Sequence, residues 1–85
     1  PPKLLSNVVK DFVLKKFGIR PINASSWIDL FEYECDRNKV PQLQYWEAIR
    51  FFLEGRALDW YDSRCKTLRN GTWEQWRDLF LEFVR

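Results

Sequence analysis

The sequence predicts an all-α fold, a compact bundle of four to five short helices. Apolar residues recur at helical spacing in every segment, and no segment shows the sustained alternation of a half-buried strand. The 85 residues suffice for one small domain and not for two, so we expect a single domain over residues 1–85. Because 46% of the residues are apolar and 18% are aromatic, that domain can bury a core without a metal or a disulfide.

The N-terminal segment, residues 1–22, is predicted to be either a first helix or a short extended arm. One helical face would carry the apolar side chains of Leu5, Val8, Val9 and Phe12. The same valine and phenylalanine residues are compatible with extended backbone, so both possibilities stay open. Gly18 and Pro21 interrupt the pattern, and the helical core is expected over residues 23–85.

The N-terminal segment also holds the basic excess of the chain. Residues 1–20 have a net charge of +4, which leaves −2 for residues 21–85. The candidate basic arm consists of Lys10, Lys15, Lys16 and Arg20. A solvated helix face is the simpler interpretation, and contact with RNA or a lipid surface is the alternative.

The second helix is predicted to begin at Asn23-Ala24-Ser25-Ser26, with Ser26 as its cap and Asp29 in the capping-box position. Its buried stripe comprises Trp27, Ile28, Phe31 and Cys35. Leu30 lies at the edge of this stripe and Tyr33 lies off it. The charged residues Glu32, Glu34, Asp36 and Arg37 are expected to face solvent.

Three further helices are predicted from Pro41 onward, with Pro41 favouring a first helical turn. The third buries Tyr45, Trp46, Ile49, Phe52 and Leu53, while Phe51 points away. Gly55 is expected to end it as a left-handed C-terminal cap.

The fourth predicted helix carries Ala57, Trp60, Tyr61, Cys65 and Leu68. After the turn signal Asn70-Gly71, the fifth starts with a capping box of Thr72 and Gln75 and is lined by Trp73, Trp76, Phe80, Phe83 and Val84.

Composition argues against an enzyme and against a cofactor or metal site. The chain has no histidine, so it lacks the commonest general base and metal ligand. The glycines are isolated and form no phosphate-binding loop. Cys35 and Cys65 are interpreted as small buried hydrophobic residues. All five tryptophans, Trp27, Trp46, Trp60, Trp73 and Trp76, are assigned to the core.

Charge and hydropathy also limit the expected partners. A net charge of +2 is far from that of a dense basic nucleic-acid interface, so we expect no direct nucleic-acid contact. No apolar run approaches the ~20 residues of a membrane span, and the first residues do not show the basic, then apolar, then small-residue order typical of a signal sequence. These observations predict an intracellular, cytoplasmic location.

Three stretches of the sequence share the order and spacing of one family. They are Trp27-x-x-x-Phe31-x-x-x-Cys35, then Glu47-Ala48-Ile49-Arg50-x-Phe52-Leu53-Glu54-Gly55-x-Ala57-x-x-Trp60-Tyr61, then Thr72-Trp73-x-x-Trp76-x-x-x-Phe80-x-x-x-Val84. This pattern resembles the Gag capsid N-terminal lobe of gypsy-type LTR retrotransposons, including domesticated, Arc-like host proteins. The resemblance runs from about Trp27 to Val84.

The resemblance implies a structural module that assembles with copies of itself and with a following C-terminal capsid lobe. The chain would then be one lobe cut from a longer protein. In domesticated Gag-like host proteins the lobe can instead bind a host peptide. The candidate protein-interaction surface consists of Trp27, Leu30, Tyr33 and Phe51. Either it meets a partner, or the N-terminal segment covers it.

Overall fold

The computed structural model describes residues 4–18, 23–68 and 71–85, and these form a helical bundle. Its five α-helices are α1 (Leu5–Val8), α2 (Ala24–Arg37), α3 (Tyr45–Ile49), α4 (Gly55–Cys65) and α5 (Trp73–Phe83). Single 3-10 turns occupy Val9–Asp11, Gln42–Gln44 and Arg50–Phe52. The predicted all-α class is confirmed. Within the described ranges the only strand-like pairing is an isolated bridge between Phe17 and Leu53.

The N-terminal segment combines both predicted conformations. It starts with α1 and a 3-10 turn, and from Phe12 it runs extended toward Phe17. The Phe17 N–H donates to the Phe52 carbonyl at 2.6 Å, and the Glu54 N–H donates to the Phe17 carbonyl at 3.0 Å. Phe12 and Phe17 are buried, so this extended stretch is part of the core. Arg20 and Pro21 lie outside the described residues.

Helix α2 carries the predicted buried stripe but begins earlier than predicted. Trp27, Ile28, Phe31 and Cys35 are all buried. The predicted cap at Ser26 with Asp29 is wrong, because Asn23 is the N-cap and its side chain accepts a hydrogen bond from the Ser26 N–H at 3.1 Å. The Asn23 side chain satisfies one of the unpaired N–H groups in the first turn of a helix that begins three residues earlier than a Ser26 cap would place it.

The third predicted helix is shorter than expected and flanked by 3-10 turns. Leu53 adopts extended backbone to form the bridge with Phe17, so the helical segment stops before Gly55. Gly55 has the predicted left-handed conformation, with φ +58°, but it opens α4 and does not cap the preceding helix. The connection into α4 therefore consists of two extended residues, Leu53 and Glu54, followed by a glycine with positive φ.

Helix α5 matches its prediction at both its cap and its buried face. Thr72 accepts from the Gln75 N–H at 3.2 Å, and the Gln75 side chain accepts from the Thr72 N–H at 2.9 Å, which completes the capping box. Trp73, Trp76 and Phe80 are buried. Asn70, part of the predicted turn before this helix, lies outside the described residues.

The core is built mainly from aromatic rings in two adjoining groups. Phe31 lies in the first, with its ring centroid 5.5 Å from that of Trp73 and 6.2 Å from that of Phe52. Trp76 lies in the second, in contact with Trp46, Trp60 and Tyr61. Such pairs each contribute about 0.5–1.5 kcal/mol beyond area burial.

The assignment of all five tryptophans to the core needs one correction. Trp27, Trp73 and Trp76 are buried, whereas Trp46 and Trp60 are half-buried and pack at the rim of the core. The Trp46 indole stacks on the buried Trp76, the Trp60 indole meets Trp76 in a T-shaped arrangement, and both stay partly open to solvent. None of the helices in the described ranges combines the length and apolarity that a bilayer span requires.

Candidate interaction surfaces

The predicted interaction residues occupy different environments in the fold. Leu30 and Tyr33 lie three residues apart on α2 and are 54% and 62% exposed. Phe51, in the 3-10 turn after α3, is 43% exposed. Trp27 is only 4% exposed, because its ring packs on Phe17. Three of the four side chains thus remain at the surface with the described N-terminal residues in place.

Trp27 and Leu30 line an apolar groove between the start of α2 and the extended N-terminal stretch. The groove has a volume of about 660 Å³, and its exposed lining is mostly apolar. Its lining residues are Val13, Leu14, Lys15, Asn23, Ser26, Trp27 and Leu30. Tyr33 and Phe51 are not among them. The structure therefore places two of the predicted residues at one groove and leaves the other two outside it.

One wall of this groove is held by side chains of α2. The Trp27 indole N–H donates to the Lys15 carbonyl at 2.8 Å. The Val13 N–H donates to the Glu34 carboxylate at 2.7 Å. These two bonds attach residues 13–15 to α2 from both ends of the stretch, so α2 sets the position of the wall as well as forming the floor.

Glu34 is the centre of this attachment, and its predicted solvent-facing position is wrong. Its side chain is buried, with the residue 5% exposed. Arg37 donates to both carboxylate oxygens, at 2.8 and 3.1 Å, and the same guanidinium donates to the Asp11 carbonyl at 2.8 Å. A carboxylate can be buried here because Arg37 and the Val13 N–H satisfy it.

The charge state of Glu34 follows from these partners. The hydrogen bonds from Arg37 lower the pKa of the Glu34 carboxyl, and the Val13 N–H lowers it further, against the opposing effect of burial. Glu34 is therefore ionised at neutral pH and acts as a fixed anchor. Helical periodicity missed it because the residue precedes Cys35 at the edge of the stripe. The available signal was Arg37, three residues on, which can pair with it.

The predicted basic arm is exposed where the structure describes it. Lys10, Lys15 and Lys16 all face solvent, and Arg20 lies outside the described residues. Lys15 contributes its backbone carbonyl to the bond with Trp27, while its side chain borders the groove. Lys15 thus places positive charge beside an apolar surface, and the role of the basic arm stays a prediction.

The two cysteines differ in environment. Both are free thiols, with Cys35 buried and Cys65 half-buried. Burial raises the pKa of the Cys35 thiol to about 12, with a further contribution from the Glu32 and Glu34 carboxylates. In the part of the chain that the structure describes, no group of three or more Cys, Asp or Glu side chains is placed to hold a metal ion.

Comparison with known proteins adds no assignment to these surfaces. No protein-family model, no curated protein and no solved structure matches the chain. The family resemblance therefore rests on the motif residues of the sequence alone.

Proposed function

We propose that this chain is a structural, capsid-type module of a retrotransposon-derived Gag protein. Its role is to provide contacts between copies that build oligomers or virus-like particles. One observation carries the proposal: large apolar side chains stay at the surface of a domain whose core is already complete. Leu30, Tyr33 and Phe51 are exposed on two different elements, and exposed apolar surface of this kind often meets a protein partner.

The motif residues behind the family resemblance act as scaffold, which is consistent with this role. Ala57, Trp73 and Trp76 are buried, and Gly55 makes the turn into α4. Leu30, Tyr33 and Phe51 lie outside the motif and stay exposed, so they remain available for contacts. The Cys35 thiol is protonated at neutral pH because its pKa is about 12, so it is a poor nucleophile.

The proposal implies an intracellular, cytoplasmic protein that is not an enzyme. Its partners are copies of itself and a C-terminal capsid lobe, with no direct contact to nucleic acid. Contacts between copies need only be weak individually, because many repeated contacts add up in an assembly.

Sedimentation velocity and electron microscopy over micromolar to millimolar concentrations test this role. We expect oligomers that grow with concentration, and we expect Leu30→Ser with Tyr33→Ser to reduce them. Gln42→Ser with Gln44→Ser is the control, since both side chains are exposed but polar and lie on a different element. A chain that stays monomeric at millimolar concentration would contradict the proposal.

A second candidate function is peptide binding by a domesticated Gag-like host protein. The apolar groove of Val13, Leu14, Trp27 and Leu30 favours it, because a groove of about 660 Å³ can hold several apolar side chains. Selection from a displayed library of random peptides would supply candidate ligands.

The Trp27 indole N–H is the reporter for such ligands, since it bonds the groove wall at Lys15. A ligand in the groove should shift its NMR signal, and Leu30→Glu should abolish binding while Leu43→Glu does not. Selected peptides that leave the Trp27 signal unmoved, or that bind the L30E variant equally well, would overturn this candidate.

A further inference from the structure

A second groove lies between α4 and the end of α5. It has a volume of about 470 Å³ and is lined by Arg56, Asp59, Trp60, Ser63, Arg64, Thr67 and Phe83. The Trp60 and Phe83 rings stack at its base, with centroids 5.0 Å apart and planes 14° from parallel. Both rings are half-buried, so the groove presents aromatic surface to solvent.

Two arginines border this aromatic surface and differ from the other arginines of the described chain. Arg37, Arg50, Arg77 and Arg85 each form an ion pair with a carboxylate. Within the described ranges Arg56 and Arg64 form none, and both are exposed. With Trp60 between them, they occupy positions i, i+4 and i+8 on one face of α4. Asp59 also lines the groove, which leaves one net positive charge there.

The complementary surface is the outer face of α5. Glu74, Asp78 and Glu82 follow one another at the same i, i+4, i+8 spacing, and all three are exposed on the side away from the buried Trp76. Within the described residues, Glu82 forms a long ion pair of 3.7 Å with Arg85, and Glu74 and Asp78 form none.

The two rows match in length as well as in charge. Arg56 and Arg64 are eight residues apart along α4, and Glu74 and Glu82 are eight residues apart along α5. At 1.5 Å per helical residue, each row therefore spans about 12 Å. Helix α5 of a second copy can thus lie along α4 with an ion pair at each end.

We propose that the α4 groove binds the outer face of α5 from a second copy of this chain. Arg56 and Arg64 of one copy pair with Glu74 and Glu82 of the other, and the Trp60 and Phe83 rings lie beside these pairs. This inference rests on the proposed assembly role and names one of the contacts that would carry it. The contact joins two different surfaces, so it can repeat from copy to copy.

A charge-swap experiment tests the contact by sedimentation equilibrium at low salt. We expect R56E/R64E and E74R/E82R each to weaken self-association about tenfold, since each replaces two exposed ion pairs by like-charge contacts. Combining all four substitutions restores the pairs with reversed polarity and should restore association. Added salt should weaken association of the parent chain, because the paired charges are exposed.

Matched controls separate this contact from a general effect of charge. K10E/K39E changes the net charge as much as R56E/R64E does, and D36R/E47R as much as E74R/E82R; all four residues are exposed and lie outside α4 and α5. We expect both controls to associate like the parent. Near-UV circular dichroism of the tryptophans checks that each variant is folded. If a charge reversal disturbs folding, the neutral variants R56Q/R64Q and E74Q/E82Q take its place, and we expect them to weaken association as well.

The outcomes distinguish the two proposals. A parent chain that associates, with double variants that associate equally well, overturns this contact and leaves the assembly role standing. Weakened double variants that the quadruple variant does not restore also overturn the direct pairing. A parent chain that is monomeric at every concentration overturns the assembly role itself.

Discussion

Glu34 shows how one buried charge can organise a small domain. Its carboxylate accepts hydrogen bonds from Arg37 and from the Val13 N–H, and Arg37 also reaches the Asp11 carbonyl. These contacts join the N-terminal stretch to α2 across a sequence separation of more than twenty residues. The wall of the apolar groove depends on them.

Replacing Glu34 should therefore destabilise the fold and loosen the groove wall. We expect Glu34→Ala to lower the free energy of unfolding by about 1–3 kcal/mol, because the Val13 N–H loses its acceptor in a partly buried site. Glu34→Gln keeps an acceptor and should cost less. Urea unfolding measures both variants, and an alanine variant as stable as the parent would contradict the anchoring role.

The same residue predicts a pH dependence. Its folded pKa is lowered from 4.5, so the unfolded chain binds the proton more readily. The stability that Glu34 contributes is complete above about pH 4.5 and is lost as the pH falls through the lowered folded pKa. The stability difference between the parent and the E34Q variant should therefore shrink in acid. A difference that stays constant from neutral pH to acid would contradict this assignment.

The two thiols should react at very different rates. Cys35 is buried with a pKa of about 12, whereas Cys65 is half-buried at the end of α4. We expect iodoacetamide to modify Cys65 in the folded protein and Cys35 only after unfolding, with mass spectrometry of peptides as the measurement. Cys65→Ser is the control and should leave the native chain unmodified. Equal labelling of both thiols would show that Cys35 is accessible.

At the scale of elements, the turn between α3 and α4 depends on Gly55. Its φ of +58° disfavours side chains, although a Cβ there would meet nothing within 4 Å. Gly55→Ala should therefore cost about 1 kcal/mol from backbone conformation alone, and Gly55→Asn should cost less, because asparagine tolerates this region. Thermal unfolding compares the two variants. A much larger loss in the alanine variant would indicate a clash that the structure does not contain.

The crossing of α2 and α5 depends on Trp73. Its ring is buried against Phe31, and its indole N–H donates to the Glu32 carboxylate at 2.7 Å. We expect Trp73→Ala to cost about 3–5 kcal/mol and to unfold much of the population. Trp73→Phe keeps an aromatic ring but removes the hydrogen bond and part of the buried ring area, so it should cost less than alanine, about 1–3 kcal/mol. Circular dichroism measures both, and a stable, folded alanine variant would show that the crossing does not need this ring.

The sequence predicted the elements that local patterns determine. Helices α2 and α5 have long apolar stripes, and the capping box of Thr72 and Gln75 is a local signal, so both were predictable. The extended stretch near Phe17 depends on backbone bonds to Phe52 and Glu54, far along the chain, and periodicity does not contain that information. The same pairing ends the third helical segment before Gly55.

For the candidate surfaces, too, the sequence predicted what local patterns determine and missed what depends on distant contacts. The exposure of Leu30 and Tyr33 follows from their positions on α2, which helical periodicity determines. The groove beside Trp27 could not be predicted, because its second wall is the stretch that Glu34 and Trp27 hold in place. Helical spacing places Arg56 and Arg64 on one face of α4. The groove beside them could not be predicted, because it forms where α4 packs against Phe83.

At the scale of the whole molecule, the chain combines a complete aromatic core with several surfaces of different character. An apolar groove lies beside α2, a basic aromatic groove lies between α4 and α5, and an acidic row lines the outside of α5. A molecule with two complementary and distinct surfaces can add copies without closing on itself. This arrangement supports the proposed assembly role.

Sedimentation equilibrium of the parent chain tests the assembly role. We expect the mean mass to rise above that of the 10.4 kDa monomer as the concentration increases toward millimolar, and to fall again when salt is added. A mass that stays at the monomer value over the whole concentration range at low salt would contradict it.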